Sequence, residues 1–226
     1  MSKLPPFPGY VTSKQFLPSF QTLFKDLGDQ DACIQLQEVS QRFLEDTARN
    51  TRSSADEFLK SLYQDFQVPH GTYHFSTMRS VAYHSFIILT HAAFEAALKE
   101  AIKQHCILYR VEGWEKKVGG KDLAPMQQLE HNLSSSIKSR LVAAPEYRLI
   151  EYYRHLRIAS SHRTQETSEK AVRAFSKIKE TDILHFKKYL HAGDAPNAPA
   201  GLSFDDFKLF TRAIKYYSNL LNEALA

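Results

Sequence analysis

The chain has 226 residues, 43% hydrophobic and 24% charged, an ordinary globular balance that fits one large domain or two small ones and excludes a wholly disordered or fibrous chain. Its 29 Lys and Arg against 25 Asp and Glu give a formal charge of +4 and an isoelectric point near 8.9, which tolerates a polyanionic partner without demanding one. Cys33 and Cys106 lack the spacing of a zinc site or a disulfide framework, and no run reaches the roughly 18 uninterrupted apolar residues of a membrane span, so a reducing, cytoplasmic setting away from membranes is expected.

Residues 1–10, with three prolines and a glycine, read as an extended arm. Residues 11–226 are expected to form a single α-helical domain whose motif-bearing core starts near Tyr73. Phe16, Phe20, Leu23 and Phe24 predict a helix over 13–27, stopped at Gly28. A second pattern of Ile34, Leu36, Val39 and Phe43 resumes at Phe58, Leu59 and Leu62; the polar stretch 50–54 between them is either a break or an exposed turn of one long helix. Pro69-His70-Gly71 marks a boundary. Beyond it, Phe86 to Leu89 and Ala92 to Phe94 predict the central helix of a bundle, being apolar on nearly every side. His84, His91 and Glu95 share one stripe of that helix. They are either a metal-ligand face or a polar seam turned toward another helix or subunit, and the seam is the preferred reading.

Residues 113–122 form a basic, glycine-containing loop in which Lys116, Lys117 and Lys121 either touch phosphate or are simply solvated. Helical patterns follow over 125–141 and from Pro145, where the proline and Glu146 are start signals. A short helix capped by Thr167 or Ser168 carries Ala171, Val172, Phe175 and Ile178. Residues 183–190 add one or two turns, and 191–201 read as a Pro/Gly/Ala loop. Ser203 with Asp206 has the form of an acidic capping box; it opens a last helix striped by Phe207, Phe210, Ile214, Tyr217 and Leu221. Strand alternation, internal repeats and a glycine-rich phosphate loop do not occur in the sequence. The expected fold is all-α: a helical bundle with long central antiparallel helices and an N-terminal helical extension.

The helix that starts at Pro145 carries three arginines and two histidines within residues 152–163. At about 100° per residue, Leu149, Tyr152, Tyr153, Leu156 and Ala159 fall on the inward side. Glu151, Arg154, His155, Arg157, Ser161 and His162 fall opposite, together with Ile150 and Ile158. Arg157 and His162 are then separated by roughly 140° around the axis and about 7.5 Å along it. A long arginine side chain bridges that gap, and Arg154 and Ser161 lie between. Arginine presents a permanently charged planar fork that fits phosphate, and histidine exchanges a proton near neutral pH. Those are the two groups that metal-free phosphodiester cleavage needs. Tyr152 and Tyr153 are expected in the core rather than stacked on bases.

Residues 156–163, Leu-Arg-Ile-Ala-Ser-Ser-His-Arg, resemble the signature of the HEPN superfamily: an arginine, four to six residues, then a histidine, late in an α-helical bundle. Arg157 and His162 meet it with four residues between; Arg148 and His155 form an overlapping match that ranks second. The order of helices over 73–226 is similar to the family's as well. The resemblance implies a metal-independent endoribonuclease without cofactor or metal, of the kind found in toxin, antiphage-defence or RNA-processing systems. It implies that Arg157 holds the scissile phosphate, that His162 acts as general acid or base, and that Arg154, His155, Ser161 and Arg163 contact RNA. It also implies a homodimer with a composite site at the interface and a cognate antitoxin or nucleotidyltransferase partner. The residue after the arginine, commonly asparagine in the family, is Ile158 here. The alternative expectation is a non-catalytic RNA-binding or protein-binding module, an antitoxin or adaptor.

Overall fold

The computed structural model describes residues 16–50, 54–68, 74–187, 189 and 195–225. The arm expected over 1–10, the boundary at Pro69-His70-Gly71 and part of the loop 191–201 lie outside them. Among the described residues the protein is an all-α bundle of nine helices: α1 (Pro18–Asn50), α2 (Ala55–Asp65), α3 (Phe75–Leu108), α4 (Pro125–Asn132), α5 (Ser135–Ala143), α6 (Pro145–His162), α7 (Gln165–Phe175), α8 (Glu180–Phe186) and α9 (Phe204–Leu225). A 3-10 turn at Pro199–Gly201 precedes α9, and β1 (Lys117–Val118) pairs antiparallel with β2 (Lys121–Asp122).

The polar contacts between helices give their directions. Along α1 and α3 the pairs Glu45–Arg79, Glu38–Tyr83, Gln30–Thr90 and Ser19–Gln104 run in opposite order, so the two long helices are antiparallel. Phe86 meets Phe207, His91 meets Phe210 and His105 meets the Leu225 carbonyl, so α9 runs parallel to α3. Tyr153 reaches Asp206 while Tyr147 faces Tyr217, which makes α6 antiparallel to α9. Phe20, Leu98, Tyr152, Tyr153, Phe210 and Ile214 fill one shared core. By length and hydropathy α3 could span a bilayer; in this fold it is the central helix, packed on α1, α6 and α9.

Four local expectations are corrected. The stop at Gly28 is absent and α1 runs straight through it. A glycine inside a helix costs only about 1 kcal/mol, less than what burying Phe20, Leu23, Leu27 and Ile34 on either side contributes. One continuous helix is ruled out at Ser54, which is extended (φ −64°, ψ 155°) and starts α2 with a reciprocal capping box to Glu57, at 3.2 and 3.1 Å. The helix expected over 125–141 is two, α4 and α5, divided at Leu133-Ser134. The loop 113–122 closes as a hairpin because Gly119 and Gly120 supply the positive φ of 55° and 79° that a two-residue turn needs. The cap of α7 is Thr164, whose Oγ1 accepts from the Thr167 N–H at 3.2 Å, rather than Thr167 or Ser168. At α9 half of the expected box is made: the Asp206 Oδ2 accepts from the Ser203 N–H at 2.9 Å, while the Ser203 Oγ accepts from the Asp205 N–H at 3.2 Å in place of the Asp206 N–H.

Candidate active site

Helix α6 is held firmly at its start and open at its end. Near the start, Arg148 gives Nε and Nη2 to the Asp182 carboxylate at 2.7 and 2.6 Å, and Asp182 is 3% exposed. That fork ties α8 onto α6 and leaves none for a phosphate, which disfavours the overlapping Arg148–His155 match. Glu146 accepts from Tyr189 at 2.5 Å and lies 2.7 Å from His185 Nε2, securing the same end. Leu149, Tyr152, Tyr153 and Leu156 face inward as the periodicity predicts. Ile150, expected outside, is also buried, because α4 brings Met126 and Gln127 over that side.

Further along, Arg154 engages both oxygens of Glu151, at 2.9 and 2.7 Å, and its Nη2 lies 3.1 Å from His155 Nε2. Since arginine only donates, that imidazole nitrogen accepts. Burial, then Arg154 with Lys177 and Lys170, pushes His155 below its ordinary range, with Glu151 opposing. The ring is therefore harder to protonate than a free imidazole, with cations of α6 and α7 around it. Arg154 also borders a cavity of about 190 Å³ shared with His91, Glu95, Glu130 and Tyr147.

Arg157 differs from both. Its nearest acid is Glu95 of α3, Nη2 to Oε2 at 3.7 Å with the two side chains 30% and 31% exposed, and its Nε is buried without a hydrogen-bond partner. His91 Nδ1 stands 3.5 Å from the same Glu95 oxygen. His91 first, with Arg157 and Arg154, holds the Glu95 carboxyl below the usual carboxylate range despite its partial burial. One turn and a half beyond Arg157, Ser161, His162 and Arg163 are exposed. Among the described residues no hydrogen bond or ion pair engages their side chains, and none joins Arg157 to His162. Arg163 ends the helix in the left-handed region, φ 48° and ψ 36°, its N–H donating to the Ala159 carbonyl at 2.8 Å.

The stripe His84, His91, Glu95 divides. His91 and Glu95 form the seam against α6, whereas the His84 Nδ1 turns back to the Ser80 carbonyl at 2.7 Å. Among the described residues no three His, Cys, Asp or Glu side chains converge as metal ligands would. Lys117 pairs with Asp122 across the hairpin at 3.2 Å. Glu95 is the site residue that spacing did not link to Arg157. Its place on a polar stripe of an otherwise apolar helix was the available signal. No protein-family model, curated protein or solved structure matches the chain. The functional reading therefore rests on these side chains.

Proposed function

We propose that the chain is a metal-independent endoribonuclease of the HEPN type, with Arg157 and His162 as its catalytic pair. The observation that carries the proposal is the contrast among the arginines of α6. Arg148 and Arg154 have both arms of their forks closed on carboxylates, while Arg157 has one long contact and an unsatisfied buried Nε. A buried donor left without a partner is costly, about 1–3 kcal/mol. A phosphate oxygen beside Arg157 relieves that cost and displaces a weak ion pair, so the site is chemically ready for a phosphodiester.

In this mechanism Arg157 neutralises the non-bridging oxygens of the scissile phosphate, which gain charge as the 2′-hydroxyl attacks. His162 accepts the 2′-hydroxyl proton, and a second imidazole protonates the departing 5′-oxygen. The 2′-oxygen–phosphorus bond forms as the 5′-oxygen–phosphorus bond breaks, giving a 2′,3′-cyclic phosphate and a 5′-hydroxyl. A second copy of the chain, in a homodimer, supplies the second His162. Arg154, His155 and Ser161 are the flanking contacts to the RNA backbone, and Arg163 contacts the RNA beside them. The second reading, an RNA-binding module that does not cut, draws on Glu95 occupying Arg157 and on Ile158 following it.

The test is incubation of the purified chain with end-labelled single-stranded RNA, with and without EDTA, beside Arg157→Ala and His162→Ala. The expected result is EDTA-resistant cleavage to cyclic-phosphate ends, reduced about 10²–10⁴-fold by His162→Ala and about 10²–10³-fold by Arg157→Ala. Cleavage that survives both substitutions rejects the site, and binding without cleavage favours the module.

A further inference from the structure

Beside the open end of α6 lies a groove of about 520 Å³ between α3, α6 and α7, closed below by the 3-10 turn at Pro199–Gly201. Its volume is in the range of small-molecule sites, roughly 300–1,000 Å³. The walls are aliphatic: Val81 and Val172, on facing helices, remain 57% and 54% exposed. Most of its polar side chains turn acceptors outward, Ser80 and Arg163 being the ones that can donate. Ser85 and Ser160 donate their hydroxyl protons to the Val81 and Leu156 carbonyls, both at 2.9 Å, and so turn acceptor lone pairs outward. The Ser80 carbonyl can only accept, so His84 carries a proton on Nδ1, and in the neutral ring Nε2 is another acceptor. The cationic Arg163 lies at the groove too, without a protein partner among the described residues.

We infer that this groove binds one unpaired guanine of the RNA strand, and so selects where the strand is cut. The inference rests on the ribonuclease reading for its second half. Apolar walls suit the faces of a base. An acceptor-rich floor suits an edge rich in donors, and the guanine Watson–Crick edge presents N1–H and N2–H₂ side by side. The adjoining Hoogsteen edge of guanine, O6 and N7, is the commonest target of arginine, and Arg163, without a protein partner among the described residues, is available to it. Adenine and cytosine offer one amino group each, and uracil a single N–H. A base already paired in a duplex has its Watson–Crick edge engaged and cannot enter, which makes the substrate a single strand or an open loop.

The experiment titrates 5′-GMP, 5′-AMP, 5′-CMP and 5′-UMP separately into the full chain and follows calorimetry together with the His84 ring signals. GMP is expected to bind about 5- to 100-fold tighter than the others, the discrimination one good bidentate contact gives. It is expected to shift the His84 resonances. Val172→Trp, which fills the groove from an exposed position, should weaken GMP at least tenfold while its melting temperature stays near that of the parent chain. His84→Phe, which keeps a ring but removes the acceptor, should level the four affinities. Equal affinities in the parent chain, no binding of any nucleotide, or GMP binding untouched by both variants would each overturn the inference. The ribonuclease reading is judged separately. RNA cut through Arg157 and His162 with no preference for guanine sinks the groove alone. GMP bound in the groove of a chain that does not cut RNA supports the groove and sinks the ribonuclease.

Discussion

Arg163 stands where a helix commonly ends in glycine, in a left-handed conformation with φ 48° that costs a residue bearing a Cβ roughly 1 kcal/mol. Arg163→Gly is therefore expected to raise stability by about 0.5–1 kcal/mol while weakening RNA binding, read by thermal melts beside a binding titration. A destabilised variant would show that the backbone is not strained there. Glu95 is the next residue with a clear consequence. Its contact with Arg157 is long and about a third exposed, the kind of pair worth about 0–1 kcal/mol, yet its charge sits where the proposed mechanism puts the phosphate. Glu95→Gln should leave stability within about 1 kcal/mol and strengthen RNA binding several-fold; weaker binding would mean that Glu95 positions Arg157 rather than competing for it. His155 gives a pH test. Burial and the cations around it keep the free ring below its ordinary range, and a bound phosphate favours its protonated form. The NMR titration midpoint of His155 should therefore move upward when RNA binds, and the affinity should rise as pH falls through that interval. An unmoved midpoint would place the phosphate elsewhere.

At the scale of elements, α6 can present an open end because its start is fixed to α8. Asp182 does two things there: it receives both arms of Arg148, and its Oδ2 accepts the Lys179 N–H at 3.0 Å, beginning α8. Burial pushes the Asp182 carboxyl up, but Arg148 and the Lys179 N–H outweigh it and hold the group below the ordinary aspartate value of 3.8. Asp182→Asn leaves Arg148 without its counter-charge and should cost about 3 kcal/mol, the low end for breaking a buried pair. A depressed carboxylate contributes its stability above the unfolded value and loses it as pH falls toward the folded one. The wild-type advantage over the variant should thus be full above pH 3.8 and shrink below it, in urea melts run across that range; an advantage independent of pH would show that the charge is irrelevant. Such anchors also decide what the sequence could reveal. The inward stripe of α6 and the stripe of α9 were legible because burial follows helical period. The burial of Ile150 was not, because α4 arrives from elsewhere in the chain. Arg148, Arg154 and Arg157 look alike in spacing; only the folded positions of Asp182, Glu151 and Glu95 separate them. The run through Gly28 and the break at Leu133-Ser134 were hidden for a similar reason, since tertiary packing outweighs a local preference of about 1 kcal/mol.

For the whole molecule, the open question is how many chains make one site. His162 is exposed, and no group among the described residues hydrogen-bonds its side chain. An imidazole that performs acid–base work needs something to fix its tautomer and orientation, and in-line cleavage needs both a base and an acid. A second copy of the chain meets both needs if the two α6 ends face each other across a two-fold axis, where each residue meets the same surface of its partner. The prediction follows from counting dimers. When wild-type chain is mixed with an equal amount of His162→Ala and the subunits exchange, about one quarter of the dimers carry two histidines. Activity per wild-type chain should therefore fall to about half, and continue toward zero as the variant is raised in excess. Independent sites predict no change per wild-type chain at any ratio. Light scattering at the assay concentration completes the test: a protein that cuts RNA as a strict monomer cannot hold a composite site, and that result would overturn the two-copy arrangement.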